Sequence, residues 1–233
     1  MYLCFKPTGM STKQKTARTK TKKLSREDIV ALYMNAVLEQ SEFPTNVYKF
    51  CQEQKIDEAE FYNHFGSLES LRQAIWGQFH HMALGLTQKA RGYGKMAAKE
   101  KLLTYYFTLF ELLTANRSYV LFALDRSEAW SDRMKQLSGL RKGVKSFAKE
   151  LIEDANDGKT LGIFKHPVEL FSEGAWAETI MILKFWMRDD SPKFEETDAF
   201  IEKSIRAVFD LFETTPLESV FDLGKFLWKD RMA

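Results

Sequence analysis

The four histidines, His64, His80, His81 and His166, are the side chains best suited to proton transfer or metal binding near neutral pH. Their spacing supports neither. No His-Glu-x-x-His, Gly-x-Ser-x-Gly or phosphate-loop string occurs. His80 and His81 are adjacent, so on a helix they point to different parts of the surface and make poor co-ligands. No catalytic residue, metal site or cofactor is therefore expected. The two cysteines, Cys4 and Cys51, give no disulfide framework, which points to a reducing, cytoplasmic setting. The chemistry that remains is charge. Residues 1–26 hold eight basic side chains, Lys22, Lys23 and Arg26 among them, and no acid. Residues 27–72 hold three basic side chains against nine acidic ones. A net charge of +2 thus hides a basic segment placed before an acidic one. Such a segment suits a polyanionic partner. It also suits a solvated tail.

The positions around these groups follow helical periods. Residues 1–24 are rich in Lys, Thr and Ser without an apolar period, and a disordered basic arm is expected there. Within it Met10, followed by Ser-Thr-Lys, is a second candidate start. Ser25-Arg26-Glu27-Asp28 has the form of a capping box, and Ile29, Leu32, Tyr33, Ala36 and Val37 then share one helical face. Pro44 interrupts the pattern. A short helix near 45–54 carries Val47, Phe50 and Cys51 inward. Lys55-Ile56 makes a turn. Asp57 caps a helix near 58–64, with Glu60 at the capping-box position. Gly66 ends that helix. Ser67 caps a longer one containing Leu68, Leu71, Ile75, Phe79 and Met82, which breaks near Gly92 and Gly94. Further helices are expected near 95–115, 118–126, 130–156, 167–188, 193–213 and 216–230. Pro167 and Pro192 suit first helical positions, and Thr215-Pro216-Leu217-Glu218 is a capping box. No strand-like alternation or internal repeat appears, and no apolar run reaches the roughly 18 residues of a membrane span. The fold class is all-α.

Three short helices with a tight turn between the second and third form a candidate helix-turn-helix over 25–72. The string from Lys55 to Leu71, Lys-Ile-Asp-Glu-Ala-Glu-Phe-Tyr-Asn-His-Phe-Gly-Ser-Leu-Glu-Ser-Leu, resembles the signature of the TetR family of transcriptional regulators. Ile56, Phe61, Tyr62, His64, Phe65, Ser67, Glu69 and Leu71 carry the match. The resemblance implies a helix-turn-helix head at 25–72 and a helical ligand-binding and dimerisation body at 73–233. It implies that Phe61, Phe65 and Leu71 are core. Thr45 and Asn46 would open the helix that crosses the DNA backbone, and Tyr62 and His64 would face phosphates and groove. A phenol and an imidazole can both donate to phosphate oxygens. The expected DNA-facing set is Lys22, Lys23, Arg26, Thr45, Asn46, Tyr48, Lys55, Ala59, Tyr62, Asn63 and His64.

Three positions depart from the family pattern. Lys55 replaces the usual turn glycine. Glu60 replaces a small polar residue that approaches DNA. Leu68 replaces the lysine that clamps a phosphate. An acid facing a polyanion is repelled, although Glu can accept from a cytosine amino group in the major groove. Each lost phosphate contact also removes a released counterion from the binding free energy. The basic arm can restore attraction from a neighbouring minor groove.

The body is rich in aromatic residues. In the TetR family it encloses a pocket for a small, often apolar molecule, and its last long helices form a dimer bundle. Phe107, Phe110, Phe122, Trp130, Phe147 and Trp176 are the candidate lining residues, although aromatics at helical spacing are equally what a core needs. The segment near 168–188 is apolar almost all round, which demands burial on more than one side. It and the helix near 193–213 are the expected homodimer surface. The expected function is a dimeric transcriptional regulator that binds operator DNA and is controlled by a small apolar ligand. The alternative is a TetR-like protein without specific DNA binding, acting as a lipid- or isoprenoid-binding module.

Overall fold

The computed structural model describes residues 24–125, 130–157 and 168–214. Lys22, Lys23, the rest of the basic arm, the Trp130 side chain and the helix expected near 216–230 lie outside the described residues. All regular structure among the described residues is helical.

Three short helices build the head: α1 (Arg26–Gln40), α2 (Val47–Gln54) and α3 (Glu58–Tyr62). Their starts are written in cap residues. Ser25 Oγ accepts from the Asp28 amide while Asp28 returns a carboxylate to the Ser25 amide, which satisfies two orphan donors at once. Asn46 Oδ1 accepts from the Lys49 amide at 2.8 Å, and Asp57 Oδ1 from the Ala59 amide at 2.9 Å. Tyr33, Phe50, Phe61 and Phe65 are buried and meet at ring-centroid distances of 5.6, 6.0 and 5.9 Å. Inclined aromatic contacts, edge-on between Tyr33 and Phe50 and between Phe50 and Phe61, add to the area they bury. Burial, with the charges of Glu58 and Asp57 nearby, pushes the Cys51 thiol up to about 11, so it packs as a hydrophobe rather than reacting.

Helix α4 (Leu68–Gln88) begins in the head and runs unbroken into the body. Ser67 caps it in a reciprocal box with Ser70. Past a 3₁₀ turn at Tyr93–Lys95, opened by Gly92 at φ 83°, come α5 (Ala98–Ala115), α6 (Arg117–Asp125), α7 (Trp130–Gln136), α8 (Ser138–Asp157), α9 (Val168–Arg188) and α10 (Glu195–Thr214). The single helix expected over 130–156 is two, broken at Leu137, whose side chain turns into the core. Pro192 opens a 3₁₀ turn, and α10 starts three residues later.

Helix α4 lies against α5 and α8, and α8 against α9, so α4 joins head to body. Polar groups inside this core are largely paired. The Tyr106 hydroxyl donates to the Ala175 carbonyl at 2.7 Å, and His80 Nδ1 meets the Tyr105 hydroxyl at 2.8 Å. Burial, with a smaller contribution from His81, holds the His80 imidazole down at about 4, so it is neutral at physiological pH. Arg117, at the start of α6, donates to the carbonyls of Trp186, Met187 and Asp189 and lies over the Trp186 ring. It closes the C-terminus of α9, where a cation is favoured.

Candidate nucleic-acid interface

The turn between α2 and α3 rests on Lys55, which adopts the left-handed conformation at φ 56°, ψ 41°. Its amide and that of Ile56 return to carbonyls of the last turn of α2. The backbone is therefore the one a glycine would take, held by a lysine at a steric cost. We expect Lys55→Gly to raise stability by about 1 kcal/mol, read as a higher urea midpoint with an unchanged slope. A lower midpoint would contradict this reading of the turn.

The turn sets α2 and α3 so that one side of the pair is polar and open. Thr45, Asn46, Tyr48, Ala59, Tyr62 and Asn63 are exposed there, with Tyr48 56% and Tyr62 52% accessible. This exposure leaves both phenols within reach of a partner. Tyr48 accepts from Gln52 Nε2 at 2.8 Å, which orders it along α2. Lys49 and Gln52 are exposed on the same helix and join the candidate set. The spacing Thr45, Tyr48, Lys49, Gln52 is one helical face and was the available signal.

The remaining expected contacts are placed differently. His64 is half-buried, and its Nε2 lies 3.1 Å from the Leu24 carbonyl, which requires the proton on that nitrogen. Arg26 donates to the His64 carbonyl at 3.0 Å and covers the Phe65 ring at 4.3 Å. Glu60 does not return to the Asp57 amide as a capping box would have it. Its Oε1 accepts from the Leu24 amide at 2.6 Å. Leu68 is buried against the head core and cannot reach a phosphate.

In the body, Phe110, Phe147 and Trp176 are buried, and Phe107 and Phe122 half-buried. Phe110 packs on Trp186, Phe147 on Tyr105 and Phe122 on Phe43. A small cleft of about 40 Å³ lies between α7 and α9, lined by Leu124, Met134, Leu137, Ile180, Leu183 and Met187 together with the charged Arg133 and Lys184. That is well below the roughly 300 Å³ of a drug-sized site. On the outer side of α9 and α10, Met181 is exposed and Phe185 stacks on Phe200 at 4.5 Å. Among the described residues, no cluster of His, Cys, Asp or Glu has metal-site geometry, and no helix is long and apolar enough to cross a membrane.

An all-helical chain with a helix-turn-helix head continuous with a larger helical body is the class defined by this arrangement. The family model of the tetracycline-repressor-like C-terminal domain matches residues 101–227, and the chain belongs to the TetR family. Solved structures of similar fold include a protein of Syntrophomonas wolfei assigned to that family. It has a TM-score of 0.62 and 13% identity, over 78% of this chain and 93% of that one. The fatty acid degradation regulator FadR of Bacillus halodurans has a TM-score of 0.54 and 16% identity, over 79% and 96%. A protein of Shewanella sp. PV-4 assigned to the TetR family has 0.51 and 18%, over 79% and 95%. No curated protein sequence matches the chain.

Proposed function

We propose that the chain is a homodimeric, DNA-binding transcriptional regulator whose body takes a small apolar ligand. The observation that carries the reading is the open polar face of α2 and α3, with Tyr48, Lys49, Tyr62 and Asn63 exposed over a tightly packed aromatic core. A stiff head presenting donors on one side is what phosphate and groove contacts need. Helix α3 is the recognition helix in this reading, and α2 crosses the backbone. The 25–72 head and 73–233 body are then separate in task although α4 runs through both. Two copies would meet through α9 and α10, where Met181, Phe185 and Phe200 leave apolar surface at the outside. The similarity to a regulator of fatty acid degradation supports an apolar ligand. Entry of that ligand would move aromatic rings that now fill the body, shift α4, and change the distance between heads. A rigid dimer reads half-site spacing, so such a shift releases DNA.

A lipid-binding module without specific DNA contact is the second reading. The buried Leu68 and the acidic head favour it, because both remove electrostatic attraction. A salt series separates the two. Binding of the full chain is measured against the duplex upstream of its own gene and a scrambled duplex, from about 50 to 200 mM salt. The regulator reading expects a preference of about a thousandfold or more for the upstream duplex at the high end. Equal and steeply falling affinities for both duplexes would favour the lipid-binding reading.

A further inference from the structure

A cleft of about 650 Å³ opens where the head meets the body. Three elements wall it: the start of α1, one side of α4 and the first two turns of α8. Small-molecule sites take roughly 300–1,000 Å³, so the cleft is large enough for one. Its lining differs from the aromatic interior of the body. Among the described residues, Ala74 is the one apolar side chain in it, while Ser70, Gln73, Gln78 and Ser138 supply hydroxyls and amides. The ionisable groups are Arg26 and Glu27 from α1, His81 from α4 and Lys142 from α8. Such a lining suits a polar ligand and gives an apolar one little to bury against.

The cations of the cleft are not committed to acids. Along α8, Arg141 and Lys145 pair with Glu173, and Lys149 pairs with Glu169. Lys142 lines the cleft instead, and it has no ion pair among the described residues. Arg26 donates to the His64 carbonyl at 3.0 Å and lies over the Phe65 ring at 4.3 Å. Those contacts hold the guanidinium in place and leave its other N–H groups able to donate. His81 Nδ1 donates to the Gly77 carbonyl at 2.6 Å, so Nε2 is the ring atom left for a ligand. Donors already held in place lose less freedom when an anion arrives. Glu27 opposes them with one negative charge against the two of Arg26 and Lys142. We propose that the cleft binds a small polar molecule carrying an oxyanion, a carboxylate or a phosphate, between Arg26 and Lys142. The fork of Arg26 suits either group. Arg26 belongs to the head and Lys142 to the body, so one bound oxyanion ties the two across α4. The site is separate from the interior proposed for the apolar ligand. Its effect on DNA, but not its occupancy, rests on the DNA-binding reading.

Calorimetry of the full chain with sodium pyrophosphate and with sodium citrate, at constant ionic strength, tests the site. At least one probe is expected to bind once per chain. Lys142→Ala is expected to weaken that binding about tenfold, the scale of one charge-assisted hydrogen bond. Lys142 is exposed, so the variant keeps the core intact. Lys89→Ala removes the same charge at the other end of α4 and is expected to change binding less than about twofold. No binding of either probe, an unchanged affinity in Lys142→Ala, or an equal loss in Lys89→Ala would overturn the proposal and leave an adventitious ion only. Duplex affinity then separates the site from the DNA reading. The bound probe is expected to shift affinity for the duplex upstream of the chain's own gene about fivefold or more, and Lys142→Ala to remove the shift. A probe that binds at Lys142 without moving duplex affinity would overturn the tie between head and body. If Lys142→Ala weakens duplex binding about tenfold with no probe present, DNA phosphate occupies the cleft and the small-molecule site is overturned. Probe binding that depends on Lys142, with no duplex binding by any variant, would support the site and overturn the DNA reading alone.

Discussion

Replacing Gly139 by alanine is expected to lower stability by about 2 kcal/mol, although alanine is the better helix former. Gly139 lies in the first turn of α8. A Cβ there would stand 2.4 Å from the Gln73 carbonyl oxygen and 2.9 Å from the Gly77 amide nitrogen, both backbone atoms of α4. A side chain can swing aside, but a helix backbone cannot, so α4 and α8 must part. Overpacking of this kind costs roughly 1–3 kcal/mol, against a propensity gain of at most about 1. Gly85 provides the control. It lies on α4 with nothing within 4 Å of its added Cβ, so Gly85→Ala is expected to be neutral or stabilising. Urea midpoints of the two variants check the pair. Similar midpoints would contradict the close contact. The consequence reaches past stability, because the head lies at the N-terminal end of α4. In the proposed regulator, prising α4 from α8 re-aims the head, and specific DNA affinity should fall further than stability alone explains.

Met181→Glu is expected to separate the proposed dimer and to cost about a hundredfold or more in DNA affinity, since one head must then bind without the other. Met181 is 46% exposed on α9, beside the stacked Phe185 and Phe200. A charge there is solvated in a monomer and desolvated between two copies, so it acts on association rather than on folding. Trp176 is a poorer site for this test. It is buried in the body's own core, where a charge would unfold the chain before it separated two copies. Sedimentation should give a dimer for the parent chain and a monomer for Met181→Glu, with unchanged helical circular dichroism. A parent that sediments as a monomer, or a variant that stays dimeric, would contradict the proposed α9–α10 surface.

The helices of the head were readable because their ends are chemical. Ser25, Asp57 and Ser67 each put a side-chain oxygen where first-turn amides need one. The break at Leu137 had no such mark. Gln136-Leu137-Ser138 carries no proline or glycine, and the apolar period runs on across it. Only the approach of Gly139 to α4 shows that the chain must close on a neighbour there. Glu60 shows the same limit at the site. Its spacing from Asp57 fits a capping box, yet its partner is Leu24, far off in sequence. Local periodicity carries no information about such a bond. The aromatic residues of the body are a third case. Phe110 and Phe147 have the helical spacing of a pocket wall and of a core alike, and neighbours on other helices place both among buried rings. Leu68 was the reverse. Its apolar character at a position where a phosphate-binding lysine is usual already pointed inward, and it is buried.

Selection from a pool of random duplexes tests the proposed regulator most directly. The full chain is incubated with the pool at physiological salt, and the retained duplexes are sequenced. A dimer with α3 in the major groove should enrich an inverted repeat with half-sites about one helical turn or a small multiple apart. Mutating Tyr62 or Asn63 should change or abolish the enriched sequence. A pool that returns without enrichment, from protein shown to be folded and dimeric, would contradict sequence-specific DNA binding.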